Sequence, residues 1–341
     1  LKFGPHPTAT AAGCILAHSV RRGALQLRKG RRLQAADIEG LQAAGIESVT
    51  VARLEPGDVH EDEAATRVAA AAVGAGALAA APLTGRVNLF ARHTGLLRLD
   101  VARIHALNAV NEGITLATLP PDTVVAEGQM LATIKIIPYA VPGRALETAV
   151  ARATGGGGGV RVARFRSLRV GLVLTRLGDT RAAVLEKMRA AVVARLAPLQ
   201  ASLVAEHIVA HRADDVAAAL GALLAQDLDA VLVSGIAATV DRADVVPAAI
   251  VAAGGELLHV GMPVDPGNLL LLARAGAQDA RRIVGLPTCA RSPKLNGFDF
   301  VLHRLATGEA LEARDLVLMG VGGLLTDIPS RPYPRVPRKA V

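Results

Sequence analysis

The chain has 341 residues, room for two to three domains at roughly 100–200 residues each. Hydrophobic residues make up 51% and charged residues 20%, so it can bury full cores and is not disordered overall. The net charge of +8 favours anionic partners, while aromatics at 2% are too few for the base-stacking platforms of single-strand nucleic-acid binders or for an aromatic cage.

Two cysteines, Cys14 and Cys289, cannot form a disulfide framework and suit a reducing cytosol. No apolar run reaches the ~20 residues of a membrane helix; the alanine-rich run Ala69–Ala81 is broken by Gly74 and Gly76. The opening LKFGPHPTA has no charged head followed by an apolar stretch, so it does not read as a signal peptide. The expectation is a cytoplasmic protein with no membrane and no nucleic-acid partner. Part of the charge sits in a tail, 329–341, where Arg331, Arg335, Arg338 and Lys339 alternate with prolines and read as flexible.

Taken in order, residues 1–80 read as a small α/β segment. Leu33–Ala44 has helical spacing, Ser48–Arg53 (SVTVAR) alternates like a strand, and Glu61–Ala72 is helical. Residues 81–154 form a β-rich module, with short apolar runs such as VNLFA, GITLATL and MLATIKIIPY separated by Gly, Pro and Asn. Five consecutive glycines, Gly155–Gly159, mark a joint over 155–160. A phosphate-cradling loop fits poorly, because no Lys-Ser/Thr follows and Val160–Arg166 reads as a strand.

From 161 to 328 strands and helices alternate. Arg169–Thr175 is a continuous apolar strand, and Arg181–Leu196 is a helix with Val184, Leu185, Met188, Val192 and Leu196 at three-to-four spacing. Leu203–Val209 is a strand; a helix capped by Asp214 or Asp215 runs to Gln226. Ala230–Ser234 (AVLVS) is a buried strand, and Pro247 suits the first turn of a helix ending near Gly254. Glu256–Val260, Asn268–Ala273 and Arg282–Gly285 are further strands, and the last helix spans Asn296–Ala306. Such alternation predicts an α/β fold, a mostly parallel sheet covered by helices on both faces, after a smaller β-rich N-terminal region.

Ligands of such sheets bind at the carboxyl ends of the strands. Thr175 and Asp179 follow the first strand. Ser234, Gly235, Thr239, Asp241, Arg242 and Asp244 follow the third. Two carboxylates three residues apart, Asp241 and Asp244, have the hard oxygens a divalent cation prefers. The plain alternative for Asp244 is helix capping. The last parallel strand leads into GLPTCARSPKLN, where Pro287, Thr288, Cys289, Arg291, Ser292 and Lys294 precede a helix N-terminus, a composition suited to an anion. Arg291 beside Cys289 would favour its thiolate, though no adjacent His or Asn completes a nucleophile triad. His207 and His211 are four apart but lie on and after a strand, so a zinc pair is not expected.

Three stretches carry a family resemblance. AVLVSGIAATVDRADVVPAAI (Ala230–Ile250) resembles the signature of the molybdopterin-binding domain shared by molybdopterin adenylyltransferases and molybdenumtransferases: a strand, a glycine loop, an Asp and a Pro opening a helix. GGELLHVGMPVDPGN (Gly254–Asn268) is similar to the transferase segment ending in Pro-Gly-Lys-Pro, and GLPTCARSP (Gly285–Pro293) to the Gly-Leu-Pro-Gly-Asn-Pro loop. Together they cover about Arg169–Leu305. RKGRRLQAADIEGLQAAGIESVTVAR (Arg28–Arg53) resembles another part of the molybdenumtransferases, with the β-rich module intervening here.

The resemblance implies a three-layer α/β/α domain that binds molybdopterin and its phosphate. It implies a role in molybdenum cofactor biosynthesis, as a transferase inserting molybdate or moving an AMP moiety from ATP with Mg²⁺. On it, Ser234, Gly235, Asp241 and Asp244 would line the pterin-nucleotide site, with Asp241 and Asp244 catalytic and metal-binding. Thr288, Cys289, Arg291 and Ser292 would replace the phosphate-contacting loop. It also implies a homo-oligomer, dimer or trimer, and molybdoenzymes or other cofactor-biosynthesis proteins as partners. The chain departs from the pattern: only Gly235 of the glycine loop remains, followed by Ile236, Ala237 and Ala238, and Ala210 and His211 stand where an acid is usual. A cofactor carrier with the same fold and no chemistry is the alternative. A Rossmann-type nucleotide enzyme ranks last, since no Gly-x-Gly-x-x-Gly opens a helix after a strand.

Overall fold

A computed structural model describes residues 1–276 and 281–325. The basic tail expected at 329–341 lies outside the described residues. The chain divides into two compact units, Leu1–Arg164 and Phe165–Val341. The division falls after the strand that follows the glycine run.

The first unit is β-rich. Lys2–Pro7 and Ile15–Leu16 flank Ser48–Arg53 in an antiparallel sheet, beside the Ala35–Ala43 helix. Leu16, Leu33, Leu41 and Val51 form a core of their own there. A second, larger core gathers Val68 of the Glu61–Ala72 helix, Leu89 and Ile134 of a four-stranded antiparallel sheet, and Leu146. Two helices that the sequence pattern did not separate, Val101–Asn108 and Gly143–Ala153, pack on this core. Val160–Arg164 pairs antiparallel with Gly95–Leu99.

The second unit carries a six-stranded sheet in the order Ser202–Ala210, Arg169–Arg176, Ala230–Ser234, Arg282–Gly285, Leu271–Ala275, Gly255–Val260. The first four strands are parallel, and Leu271–Ala275 runs antiparallel to both its neighbours. Ala230–Ser234 and Arg282–Gly285 are buried at every position. Covering on both faces is what makes continuous apolar strands possible in a parallel sheet. Val173, Val231 and Val233 point to one face, where Val216, Leu220 and Ile250 of the Ala213–Leu224 and Val245–Ala252 helices meet them. Alternation sends Leu172, Leu174 and Leu232 to the other face. The buried Leu185, Met188, Val192 and Leu196 belong to the Ala182–Leu196 helix, which lies against the first two parallel strands. The α/β class with a mostly parallel sheet is therefore present.

Two local readings are corrected. The Ala213–Leu224 helix is capped at Arg212 with no side-chain bond, and Asp214 and Asp215 sit inside its first turn, where carboxylates favour the helix dipole. The strand expected from Asn268 begins at Leu271, because Asn268–Leu270 turn the chain: Leu270 N–H donates to the Gly267 carbonyl and Met262 N–H to that of Asn268.

Leu232 is fully buried at the centre of the sheet. Leu232→Ala is expected to cost about 2–5 kcal/mol in urea unfolding. Val204→Ala, at a site 42% exposed on the edge strand, is expected to cost under about 0.5 kcal/mol. In the first unit the Arg31 guanidinium, hydrogen-bonded at 2.9 Å, holds the Asp37 carboxyl below the usual carboxylate range against the opposing effect of burial. A depressed folded value stabilises above the unfolded value near pH ~3.9 and is lost as pH falls through the folded one. Asp37→Asn should flatten the acid limb of stability below about pH 4, read as midpoint against pH.

Candidate functional site

The carboxyl ends of three parallel strands converge on Thr175. Its side chain is fully buried. Oγ1 accepts the Ile236 N–H at 2.8 Å and lies 2.9 Å from His211 Nδ1. One hydroxyl thus joins the ends of the Arg169–Arg176 and Ala230–Ser234 strands to the residue after Ser202–Ala210. Ser234 and Gly235 are buried beside it. A Cβ on Gly235 would stand 3.0 Å from the Ala237 carbonyl oxygen and 3.7 Å from His211 Cε1, tight but without a backbone clash below that.

The fourth parallel strand delivers Pro287 and then a 3₁₀ turn, Thr288–Arg291, holding Thr288, half-buried Cys289 and Arg291. Arg291 does not serve the thiol through its terminal Nη2. That nitrogen donates to the carbonyls of Gly235 (2.6 Å) and Ile236 (2.8 Å), closing one loop onto the other. Its Nε is buried with no hydrogen-bond partner among the described residues. Burial pulls the guanidinium below its ordinary value; an arginine starts so high that it stays charged near neutrality.

The loop after Arg291 is held from below by Arg195, a residue the sequence reading passed over. Arg195 Nε donates to Asp299 Oδ1 (2.8 Å). Nη1 donates to the Ala191 and Ala290 carbonyls, and Nη2 to those of Ser292 and Lys294. A guanidinium has five N–H donors, and each has an acceptor here. Its Cζ also lies 6.0 Å from the Phe298 ring centroid. Asp299 accepts the Asn296 N–H at 2.8 Å, completing a capping box on the Gly297–Ala306 helix. Ser292 and Lys294 therefore contribute backbone carbonyls to the fold, while the Lys294 side chain is exposed.

A cavity of about 380 Å³ opens beside Arg291, lined by Arg181, Ala183, Val184, Lys187 and Met188 of the Ala182–Leu196 helix. Three cations and no carboxylate line it. The helix has no acid in its first turn and no side-chain cap, so its free N–H groups add to the positive potential. Arg181, Lys187 and His211 were missed by the strand-end search. The available signal was Arg181 at a helix N-cap, where Ser, Thr, Asp or Asn is preferred, with Lys187 in the second turn.

The remaining expected residues lie elsewhere. Asp179 is exposed in the turn closed by Thr180 Oγ1. Thr239 is half-buried, Asp241 and Arg242 are exposed, and none of them bonds to Arg291 or Thr175. Asp244 caps the Val245–Ala252 helix: Oδ1 accepts Val245 N–H at 2.8 Å and Oδ2 accepts Val240 N–H at 3.2 Å. Asp241 Oδ1 accepts Ala243 N–H at 2.7 Å, a local turn of the kind Asp favours. Among the described residues no three His, Cys, Asp or Glu side chains gather in a metal-holding group. No helix among them is long and apolar enough to cross a membrane.

A family model described as a domain of unknown function (DUF8806) matches residues 5–53. No curated protein matches the chain. Among solved structures, a molybdenum cofactor biosynthesis protein from Pyrococcus furiosus is similar over 90% of this chain at 15% identity with a TM-score of 0.25. The match spans 64% of that protein's chain, under two thirds of its length.

Removing one partner of a buried ion pair leaves an uncompensated charge. Asp299→Ala should therefore cost about 3–5 kcal/mol in chemical unfolding. Thr175→Val should cost about 1–3 kcal/mol, since it strands the Ile236 N–H.

Proposed function

We propose that the second unit binds a pterin phosphate of the molybdopterin type and serves molybdenum cofactor biosynthesis as a binding or carrier protein. The ligand class comes from the resemblance of Ala230–Ile250, Gly254–Asn268 and Gly285–Pro293 to the molybdopterin-binding domain. The observation that carries the reading is the state of Arg291. Two of its donors anchor the Gly235–Ile236 turn, while Nε is buried without a partner and the side chain walls a cationic cavity. A guanidinium with spare donors suits a phosphate, whose oxygens accept in a matching fork.

Within this reading Arg181, Lys187 and Arg291 neutralise the phosphate. Ala183 and Val184, which are not buried, give the flat ring system an apolar wall. Thr175 and His211 hold the strand ends in place around it.

The donor set for Mg²⁺ does not fit. A hard cation needs oxygens free to face it. Both Asp244 oxygens accept backbone N–H groups, and Asp241 spends one oxygen in its own turn. With no gathered carboxylates among the described residues to hold Mg²⁺, the carrier reading is preferred to nucleotidyl transfer or molybdate insertion. Such a carrier would act as a homo-oligomer, dimer or trimer, and hand its cargo to molybdoenzymes or other biosynthetic proteins.

The test is mass spectrometry of pterin retained by the chain purified from a host that makes molybdopterin. Wild type should retain it. Lys187→Gln and Arg181→Gln, both at exposed positions in or beside the first two turns of the helix, should each weaken binding about tenfold or more. Undiminished retention in both variants would sink the cavity assignment. Molybdate-dependent AMP release with ATP and Mg²⁺ would replace the carrier by an enzyme.

A further inference from the structure

The first unit holds a second basic concavity. A groove of about 640 Å³ runs between the Val101–Asn108 and Gly143–Ala153 helices, lined by Ala106, Ala109, Val110, Arg144, Ala145, Thr148 and Arg152. Its floor is made of small apolar side chains. Arg144, Thr148 and Arg152 recur every four residues, so they lie along one helix face. The two arginines are exposed, and neither makes an ion pair or side-chain hydrogen bond among the described residues. Glu112 and Glu147 are the nearest carboxylates in sequence, and neither reaches them or lines the groove.

The placement of Arg144 is costly by itself. It is the second residue of its helix, where the dipole disfavours a cation, and no acid occupies that first turn. Arg152, at the other end, is where a cation is favoured. Dipole complementarity therefore explains Arg152 alone, while an anion in the groove explains both. Eight residues at 1.5 Å rise set their Cα atoms about 12 Å apart along the axis. Arg103 keeps the far end of this helix in place by donating to the Arg152 and Thr154 carbonyls, so the groove wall is held at its C-terminus.

We infer that this groove binds an elongated organic dianion, its two charged ends gripped by Arg144 and Arg152 and its apolar body laid over Ala106, Ala109 and Ala145. The volume falls within the ~300–1,000 Å³ usual for small-molecule sites. Guanidinium groups at both ends with an apolar floor between them exclude a compact inorganic ion as the best occupant. The groove lies wholly in the first unit, so the inference stands apart from the pterin reading.

The probes are the linear dicarboxylates from hexanedioate to dodecanedioate, titrated calorimetrically into the full chain. Decanoate, decane-1,10-diol and inorganic pyrophosphate serve as controls. The expected result is binding that peaks at one dicarboxylate length, with decanoate weaker by about tenfold or more and the diol silent. Arg144→Gln and Arg152→Gln should each weaken that dicarboxylate about tenfold or more, and Ala109→Leu should fill the floor and block it. Circular dichroism confirms that the variants fold. No binding across the series, equal binding by pyrophosphate, or unchanged affinity in both arginine variants would overturn the inference.

Discussion

Arg195 reaches from the Ala182–Leu196 helix into the base of the loop that follows the fourth parallel strand, and the geometry of the carboxyl edge depends on it. Its side chain is 8% exposed and that of Asp299 12%, so both charges have been taken out of water. Such a pair holds only if every donor and acceptor finds a partner. Here the guanidinium meets Asp299 and four carbonyls from two segments. Three of those carbonyls, Ala290, Ser292 and Lys294, lie in a stretch whose only regular structure is a 3₁₀ turn. Without that donor the Ala290 and Ser292 carbonyls, which flank Arg291, would lose this partner, while that of Lys294 would keep only the Asn296 side-chain amide.

Arg195 and Arg291 make an instructive pair because they are the same residue type serving the same loop. Arg195 is saturated, and nothing is left for a ligand. Arg291 uses one terminal nitrogen to tie down Gly235 and Ile236 and keeps Nε uncommitted in a buried position. An unpaired buried donor carries a free-energy cost in the absence of an acceptor. A fold that retains one beside Arg181 and Lys187 has placed part of its net charge of +8 at a particular strand end.

The strands of the second unit were legible because buried parallel strands leave unbroken apolar runs, and AVLVS and RIVG coincide with them residue for residue. Asp244 was legible as a cap because capping is local, decided within four residues of chain. Asp214 and Asp215 misled for the same reason: two acids at a helix start resemble a cap, and only the backbone geometry puts the cap at Arg212. The Val101–Asn108 and Gly143–Ala153 helices were hidden by their shortness, 8 and 11 residues set between strand-like apolar runs, although Leu146, Ala149 and Ala153 fall on one buried face of the second. Of the candidate site, Thr175, Gly235 and Arg291 come together as a strand-end search suggests. Asp179, Thr239, Asp241 and Arg242 do not join them, since following a strand in sequence says nothing about which way a loop folds.

By itself, then, the sequence determined the α/β class, the strand and helix alternation after residue 160, and the polar strand ends, because these depend on short-range periodicity and composition. The tertiary structure decided which arginine became scaffold and which stayed available. The Arg195–Asp299 contact spans 104 residues and the Arg291–Gly235 contact 56. A guanidinium's role depends on how many acceptors packing brings within reach, and that number exists only once distant segments have met.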